Sequence, residues 1–405
     1  MKARVIAAVL LAAVLAAAAT SASGSVAKRN ATTVTVWLQD DAKNGWADAV
    51  AAATRSFQAK HPGVNVDVQY QQWTTHLTKF DAALAGNNAP DVIEMGNSET
   101  AKYMAAGALA PIRAKAYPNS SKWLGGLKSS CTWNGKLLCV PYYAGARAVI
   151  YRMDYYRQAG IRSTPRSLNQ FVTDGKKLMK KFRKDGNFSA FYYPGKNWYA
   201  TMGFVYDYGG RLAVEKNGKW KGALNSPQAI RGLTAAKSVM KALSRAPLTT
   251  DEAHPYPSIP FAKGKVASFV GNGWEWPYTL DPKVGNPGLA NVDLAIPATS
   301  GNKTLAADWI AAFTSAPNEK KMADAGNIPN ASNLAALAAG NPKVSPFARA
   351  AKYNWFVPIS PNWANVESGN VLQEMCQAIF TGRKSVRAAA TSASNTITRI
   401  LNTGS

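Results

Sequence analysis

Between Thr33 and Leu38 the chain alternates polar and apolar or β-branched positions, Thr33-Val34-Thr35-Val36-Trp37-Leu38, which is the period of a strand with one buried face. Residues 45–60 then carry helical spacing and stop at His61-Pro62-Gly63. The same alternation returns twice: a strand over 64–70 with a helix over 75–85, and a strand over 90–95 with a helix over 100–106. Strands separated by helices of this length predict a mostly parallel sheet with helices covering it. Ligands of such sheets sit beyond the carboxyl ends of the strands. That rule singles out Gln39-Asp40-Asp41, Gln71-Gln72-Trp73 and Gly96-Asn97-Ser98, and with them Asp40, Asp41, Glu94 and Asn97 as candidate ligand contacts.

Strand-like segments at 138–143 and 148–152 lead into a second region that runs to about residue 298 and is helical over 167–184 and 226–243. A further strand over 292–297 follows, then helical stretches over 305–313, 318–325 and 366–401. With 405 residues the chain is longer than one hydrophobic core usually serves, so two domains are expected. We expect a first lobe of 32–140 plus about 299–345, and a second of 141–298 plus about 346–405.

Composition sharpens this picture. Hydrophobic residues make up 47% and charged residues 17%, with 12 Trp and 16 Tyr, a globular composition whose aromatic surplus favours binding of a flat or ring-shaped ligand. Met1-Lys2-Ala3-Arg4 and the apolar run 5–19 read as a secretory leader, too short for a membrane span, that ends near Ser25-Val26-Ala27. No cysteine follows it to accept a lipid. Cys131 and Cys139 flank an Asn134-Gly135 turn and suit a disulfide in an oxidising compartment, although a two-residue turn sets them diagonally rather than opposite. Cys376, on a helical pattern, reads as a buried hydrophobe. The formal charge of +24 attracts polyanions. Export argues against nucleic acid, and the densest basic run, 176–184, reads as a helix with a solvated cationic face.

Several short motifs, weak singly, occur in a shared order: Val34-Thr35-Val36-Trp37, Ala89-Pro90-Asp91-Val92, Gly107-Ala108-Leu109-Ala110-Pro111-Ile112, Val140-Pro141-Tyr142, Gly271-Asn272-Gly273-Trp274-Glu275-Trp276 and Ile379-Phe380-Thr381-Gly382-Arg383. In this arrangement the chain resembles the extracellular solute-binding proteins of ABC sugar importers, the maltose-binding-protein-like group, over nearly its whole mature length. The resemblance implies an α/β, two-domain periplasmic-binding-protein fold of type II, with lobes joined by crossing hinge strands that close on a ligand. It implies a carbohydrate ligand, delivery to membrane permease subunits, action as a monomer, no cofactor, and no catalysis. Trp274 matches the family's stacking tryptophan, and Trp363, after Pro358-Ile359-Ser360-Pro361-Asn362, stands where another is often found. Tyr142, Tyr143 and Arg147, past the first crossing, and Trp198 with Tyr199, in a second-lobe loop, complete the candidate site.

The resemblance also exposes a departure. Family members carry two strands between the Gly-Asn-Gly-Trp motif and the following helix, and here only 292–297 reads as one, so the hinge is expected to be a strand short. Two other readings share the aromatic composition. An exported glycosidase or lyase needs paired carboxylates, for which Asp40, Glu94 and Glu275 are available but unpaired by any motif. A basic binder of anionic wall polymer would use the net charge. His61, His76 and His254 have no metal-ligand spacing with one another or with cysteine, so no metal site is expected.

Overall fold

The computed structural model describes residues 31–73, 75–275, 279, 291–341, 344–351 and 355–404; the leader sequence lies outside the described residues. Strand β1 (Thr33–Gln39) turns Val34, Val36 and Leu38 to one face, where all three are fully buried. It pairs in parallel with β2 (Asn65–Gln71) on one side and β3 (Val92–Gly96) on the other. A hairpin of β4 (Thr132–Trp133) and β5 (Lys136–Leu137) precedes β6 (Val140–Ala144) and β7 (Arg147–Tyr151). A second hairpin, β8 (Ala213–Lys216) with β9 (Lys219–Gly222), is followed by β10 (Ser268–Asn272), β11 (Asn291–Ala295) and β12 (Ile328–Pro329). The main sheet runs β12-β6-β11-β3-β1-β2, with β11 antiparallel to both of its neighbours.

Helix Ala47–Lys60 buries Ala49, Val50, Ala53 and Phe57, the i, i+1, i+4, i+8 stripe of an amphipathic helix, and packs against helix Lys303–Phe313 through Trp309 and Phe313. These helices and the sheet form the first lobe.

The second lobe is built mainly of helices. Its strands β7 and β10 pair antiparallel, and the segment at Ser189 and Tyr192 bridges in parallel to Val266 and Phe269. The helices start where their caps dictate: Ser167 accepts from Gln170 N, Asn197 from Ala200 N, Ser226 from Ala229 N and Ser385 from Ala388 N. Pro227 at the first position of its helix lacks the N–H that would go unpaired there. Helix Leu168–Lys181 closes tightly on helix Pro227–Leu243, since a Cβ on Gly175 would stand 2.6 Å from Leu243 Cδ1. Tyr193, Trp198, Val205, Leu233 and Ile397 fill the core between them.

The chain passes from the first lobe to the second between β6 and β7 across Gly145-Ala146. It returns between β10 and β11. Between Trp274 and helix Lys303–Phe313 the described residues hold one strand, β11, and residues 276–278 and 280–290, where the expected second strand would fall, lie outside the described residues. Strand β10, which leads into the Gly271-Asn272-Gly273-Trp274 motif, is not among the strands expected from the sequence; it carries Ser, Gly and Asn, residues of low β-propensity that conceal it. The boundary of the second lobe is corrected: β11 hydrogen-bonds within the main sheet, so 291–295 belongs to the first lobe, not to a second lobe reaching residue 298.

The helical stretch expected over 366–401 is three helices, Trp363–Ser368, Val371–Phe380 and Val386–Thr403. The second break turns on Gly382, whose φ of 78° needs a residue without a Cβ. In the cysteine hairpin Thr132 pairs with Leu137 and Trp133 with Lys136, which puts Cys131 across from Leu138. Cys131 and Cys139 are joined along the diagonal, with Cα atoms 4.9 Å apart. Cys376 is a buried free thiol.

Candidate functional site

A cavity of about 1000 Å³ lies where the lobes meet. Its first-lobe wall is the turn Gly96-Asn97-Ser98-Glu99 that leaves the end of β3, its floor is the hinge at Gly145-Ala146-Arg147, and its second-lobe wall carries Tyr199, Tyr206 and Trp355. The position beyond a strand end follows from sheet geometry, because parallel strands and covering helices leave their carboxyl ends uncovered.

The second-lobe wall is an aromatic ladder closed by a cation at each end. Arg147 places its guanidinium carbon 3.8 Å from the Tyr199 ring centre. Tyr199 stacks on Trp198 at 3.9 Å, Trp198 meets Trp355 at 6.0 Å, and Trp355 stacks on Tyr206 at 5.1 Å with the planes 14° apart. Arg211 lies 5.2 Å from the Tyr206 ring. Helix Trp198–Asp207 supplies three of the four rings, and Tyr206 fixes the fourth by donating its hydroxyl to Phe356 O at 3.2 Å. The faces of Tyr199 and Tyr206 are taken up within the ladder, which offers ring edges and guanidinium groups to a ligand with apolar C–H faces and hydroxyl edges.

Carboxylates complete the lining. Glu99 accepts from Gly96 N at 2.8 Å and meets His76 Nε2 at 2.9 Å, and the other ring nitrogen of His76 faces Trp73 O at 2.8 Å. Burial lowers the His76 pKa, but its bond to Glu99 and that group's charge outweigh burial, and the net shift is upward. Across the cavity Glu367 accepts from Trp363 Nε1 at 2.8 Å. Burial, aided by the charges of Glu99 and Glu252, raises its carboxyl to about 7 despite hydrogen bonds from Trp363 and Ser98. Glu275 and Glu252 lie close enough to Arg147 to feel its charge, and burial likewise raises each to about 7. Glu275 Oε1 accepts from Asn272 N at 2.9 Å, which ties it to the end of β10.

Of the residues singled out from the sequence, Asn97, Arg147 and Tyr199 line the cavity, and Trp198 supports Tyr199 from behind. The other described side chains lie elsewhere. Trp363 is fully buried in the second-lobe core and reaches the cavity only through its bond to Glu367. Tyr142 and Tyr143 are buried in the first-lobe core, where Trp46 Nε1 donates to the Tyr142 hydroxyl and meets the Tyr143 ring edge-on. Asp41 is buried and accepts from Trp73 Nε1 at 2.9 Å; burial raises it to about 6. Asp40 accepts from Gln72 Nε2. Glu94 accepts from Gln39 N at 2.8 Å, and complete burial raises it to about 8. These acids tie strands together at their ends, which is why a strand-end rule selected them. Trp274 sits on the turn Gly273–Glu275 that follows β10, and its side chain lies outside the described residues.

Sequence reasoning passed over Glu99, Tyr206, Arg211, Trp355 and Glu367. Only Trp355 carries a local signal, in Trp355-Phe356-Val357-Pro358, where the residue before proline is driven to extended backbone and away from a helix. Among the described residues, one group of three metal-capable side chains occurs, Cys131, Cys139 and Asp293, and both of its sulfurs are spent in the disulfide.

Residues 39–320 match the bacterial extracellular solute-binding protein family. The chain is 30% identical over 378 residues to the diacetylchitobiose binding protein DasA of Streptomyces coelicolor, covering 88% of this chain and 87% of that one. Its fold is shared by the GacH receptor of Streptomyces glaucescens, described unliganded and with acarbose, at a TM-score of 0.77 and 20% identity over 92% of this chain and 99% of that one. It is shared too by the sugar-binding protein MalE of Xanthomonas citri, at 0.74 and 19% over 92% and 98%. With its paired lobes and interlobe cavity, the chain belongs to the bacterial extracellular solute-binding proteins.

Proposed function

We propose that this protein captures a short oligosaccharide in the interlobe cavity and presents it to the permease subunits of an ABC importer, with an N-acetylated disaccharide of the chitobiose type as first choice. The observation that carries the reading is the ladder Tyr199-Trp198-Trp355-Tyr206 with Arg147 and Arg211 at its ends. A sugar ring lays its C–H face against the exposed ring edges of this wall and turns its hydroxyl edges to the guanidinium groups and to Asn97, Glu99 and Glu367. The name of the Streptomyces coelicolor relative supports the choice of ligand.

The remaining assignments complete the reading. Trp274, on the turn beside the hinge, is a further candidate contact. Closure would draw the first lobe, about 31–144 with 291–345, toward the second, and Gly145-Ala146 would absorb the motion. The protein acts as a monomer, needs no cofactor and binds no nucleic acid. Residues 1–27 direct export. Among the described residues no helix is long and apolar enough to cross a membrane.

A thermal-shift panel of diacetylchitobiose, chitobiose, xylobiose, cellobiose, trehalose and maltose tests the proposal. A ligand held at a hundred times its Kd stabilises the fold by about 2.7 kcal/mol. One short oligosaccharide should raise Tm clearly above the others. A flat panel would count against the reading.

A further inference from the structure

Helix Leu168–Lys181 begins at the cavity, where Ser167, Leu168 and Phe171 form part of the wall, and it ends away from it. At 1.5 Å per residue its last turn lies ~20 Å from its first. On that distant half Lys176, Lys177, Lys180 and Lys181 occupy i, i+1, i+4 and i+5, and Arg183 and Lys184 continue the run in the following turn; all six are exposed. The helix packed against it, Pro227–Leu243, bears Lys237 and Lys241 at i and i+4, with Arg245 four residues further on, and contains no acidic residue. The acid of the first helix, Asp174, is buried and is met by Lys177 at 3.2 Å.

Helix stability does not account for this arrangement. Lysines at i and i+4 repel one another, and the favourable end charge of a helix reaches only its last turn. Six exposed cations on one helix and its following turn, beside half-buried Lys237 and exposed Lys241 and Arg245 of its neighbour, make a surface complementary to a row of negative charges. Its distance from the cavity leaves the cavity mouth free. A flat membrane surface seated here would turn the cavity away from a membrane-embedded permease, whereas a linear polymer alongside would not.

We propose that this basic face of the second lobe docks on a linear phosphodiester polymer of the cell envelope and so retains the protein near its importer while the cavity stays open. The two helices provide the cations, and the polymer's phosphates provide the complementary charge.

The test measures binding of the purified mature chain to isolated poly(glycerol phosphate), with dextran as neutral control and phosphatidylglycerol vesicles as the lipid arm. Binding to the polymer should be saturable and should weaken at least about tenfold between low salt and 0.5 M salt, as screened charges require. The variant K176Q/K177Q/K180Q/K181Q should lose about tenfold at low salt. A control variant that removes equal charge from the first lobe, K60Q/K115Q/K122Q/K136Q, should lose far less. Both variants should keep the sugar-dependent rise in Tm, which reports that they are folded. The proposal is overturned if the wild type does not bind the polymer, if the two variants weaken equally, or if the vesicles compete as well as the polymer does.

Discussion

The Arg147 guanidinium lies over the face of Tyr199, 3.8 Å from the ring centre, at the point where the hinge gives way to the second-lobe wall. This contact joins the start of β7 to helix Trp198–Asp207. Arg147 also faces the buried Glu275 and Glu252.

Removing that cation should weaken sugar binding more than it weakens the fold. A hydrogen bond from a charged donor to a sugar hydroxyl contributes ~1.5–3 kcal/mol, so Arg147→Ala should raise the Kd about tenfold, equivalent to ~1.4 kcal/mol. Arg147→Lys should fall between, because an ammonium keeps the charge but not the planar stacking. Isothermal titration of both variants measures this; an unchanged Kd in Arg147→Ala would remove Arg147 from the site.

Two tryptophans eight residues apart should behave differently. Trp363 is fully buried, and Trp363→Ala should cost ~3–5 kcal/mol of stability as a large core truncation. Trp355 stands half-buried in the ladder. Its loss should leave Tm close to wild type and weaken sugar binding about tenfold, as expected for one aromatic contact. Denaturant unfolding beside titration separates the two; a Trp355→Ala protein that binds normally would show that the ladder is core, not site.

Stability should fall as pH rises from 5 to 8. Burial raises Glu94 to about 8 and Asp293 to about 8, so both hold a proton in the folded chain at pH 7 that they release on unfolding. The folded state thus binds more protons, and the stabilisation, complete below the unfolded carboxyl pKa, is lost as pH climbs through the folded value. The carboxyls shifted downward, Asp48, Asp154, Asp185 and Asp251, act only at more acid pH. Glu94→Gln keeps an acceptor for Gln39 N and should flatten the dependence in a series of melting curves. A Tm that climbs from pH 5 to 8 would contradict this assignment.

Reducing the disulfide should lower stability without emptying the site. Cys131–Cys139 closes a loop of sequence separation 8, for which chain entropy gives ~2–3 kcal/mol. The bond lies in the first lobe, outside the cavity lining. Cys131→Ser/Cys139→Ser should therefore melt lower than the parent and bind sugar with the same Kd. Equal melting temperatures with and without reductant would remove the bond from the stability account.

How much of this was legible beforehand depends on how local each signal is. The alternation of Val34, Val36 and Leu38 and the helix starts at Ser167 and Ser226 act within a few residues, and the elements they imply are present, whereas Trp198 and Tyr199, expected in a loop, open helix Trp198–Asp207. The strand-end rule led to Asn97 because the backbone past β3 has to face the cavity, whatever packs around it. For Glu94, Asp40 and Asp41 the same rule could not tell a side chain that faces the ligand from one that staples strand ends. Trp355 and Trp363 both lie near prolines, and which of them is exposed is settled by how helix Trp363–Ser368 docks on helix Val386–Thr403, a long-range contact with no local trace. Strand β10 escaped because its ladder with β7 overrides a composition poor in β-formers.

The most direct measurement is isothermal titration of diacetylchitobiose into the wild-type chain and into the Trp355→Ala/Arg147→Ala double variant. The account predicts one site per chain with saturable heat in the wild type, and at least about a hundredfold weaker binding in the variant if the two contacts add. Binding of equal strength in both proteins, or no heat from this or any sugar of the panel, would contradict it.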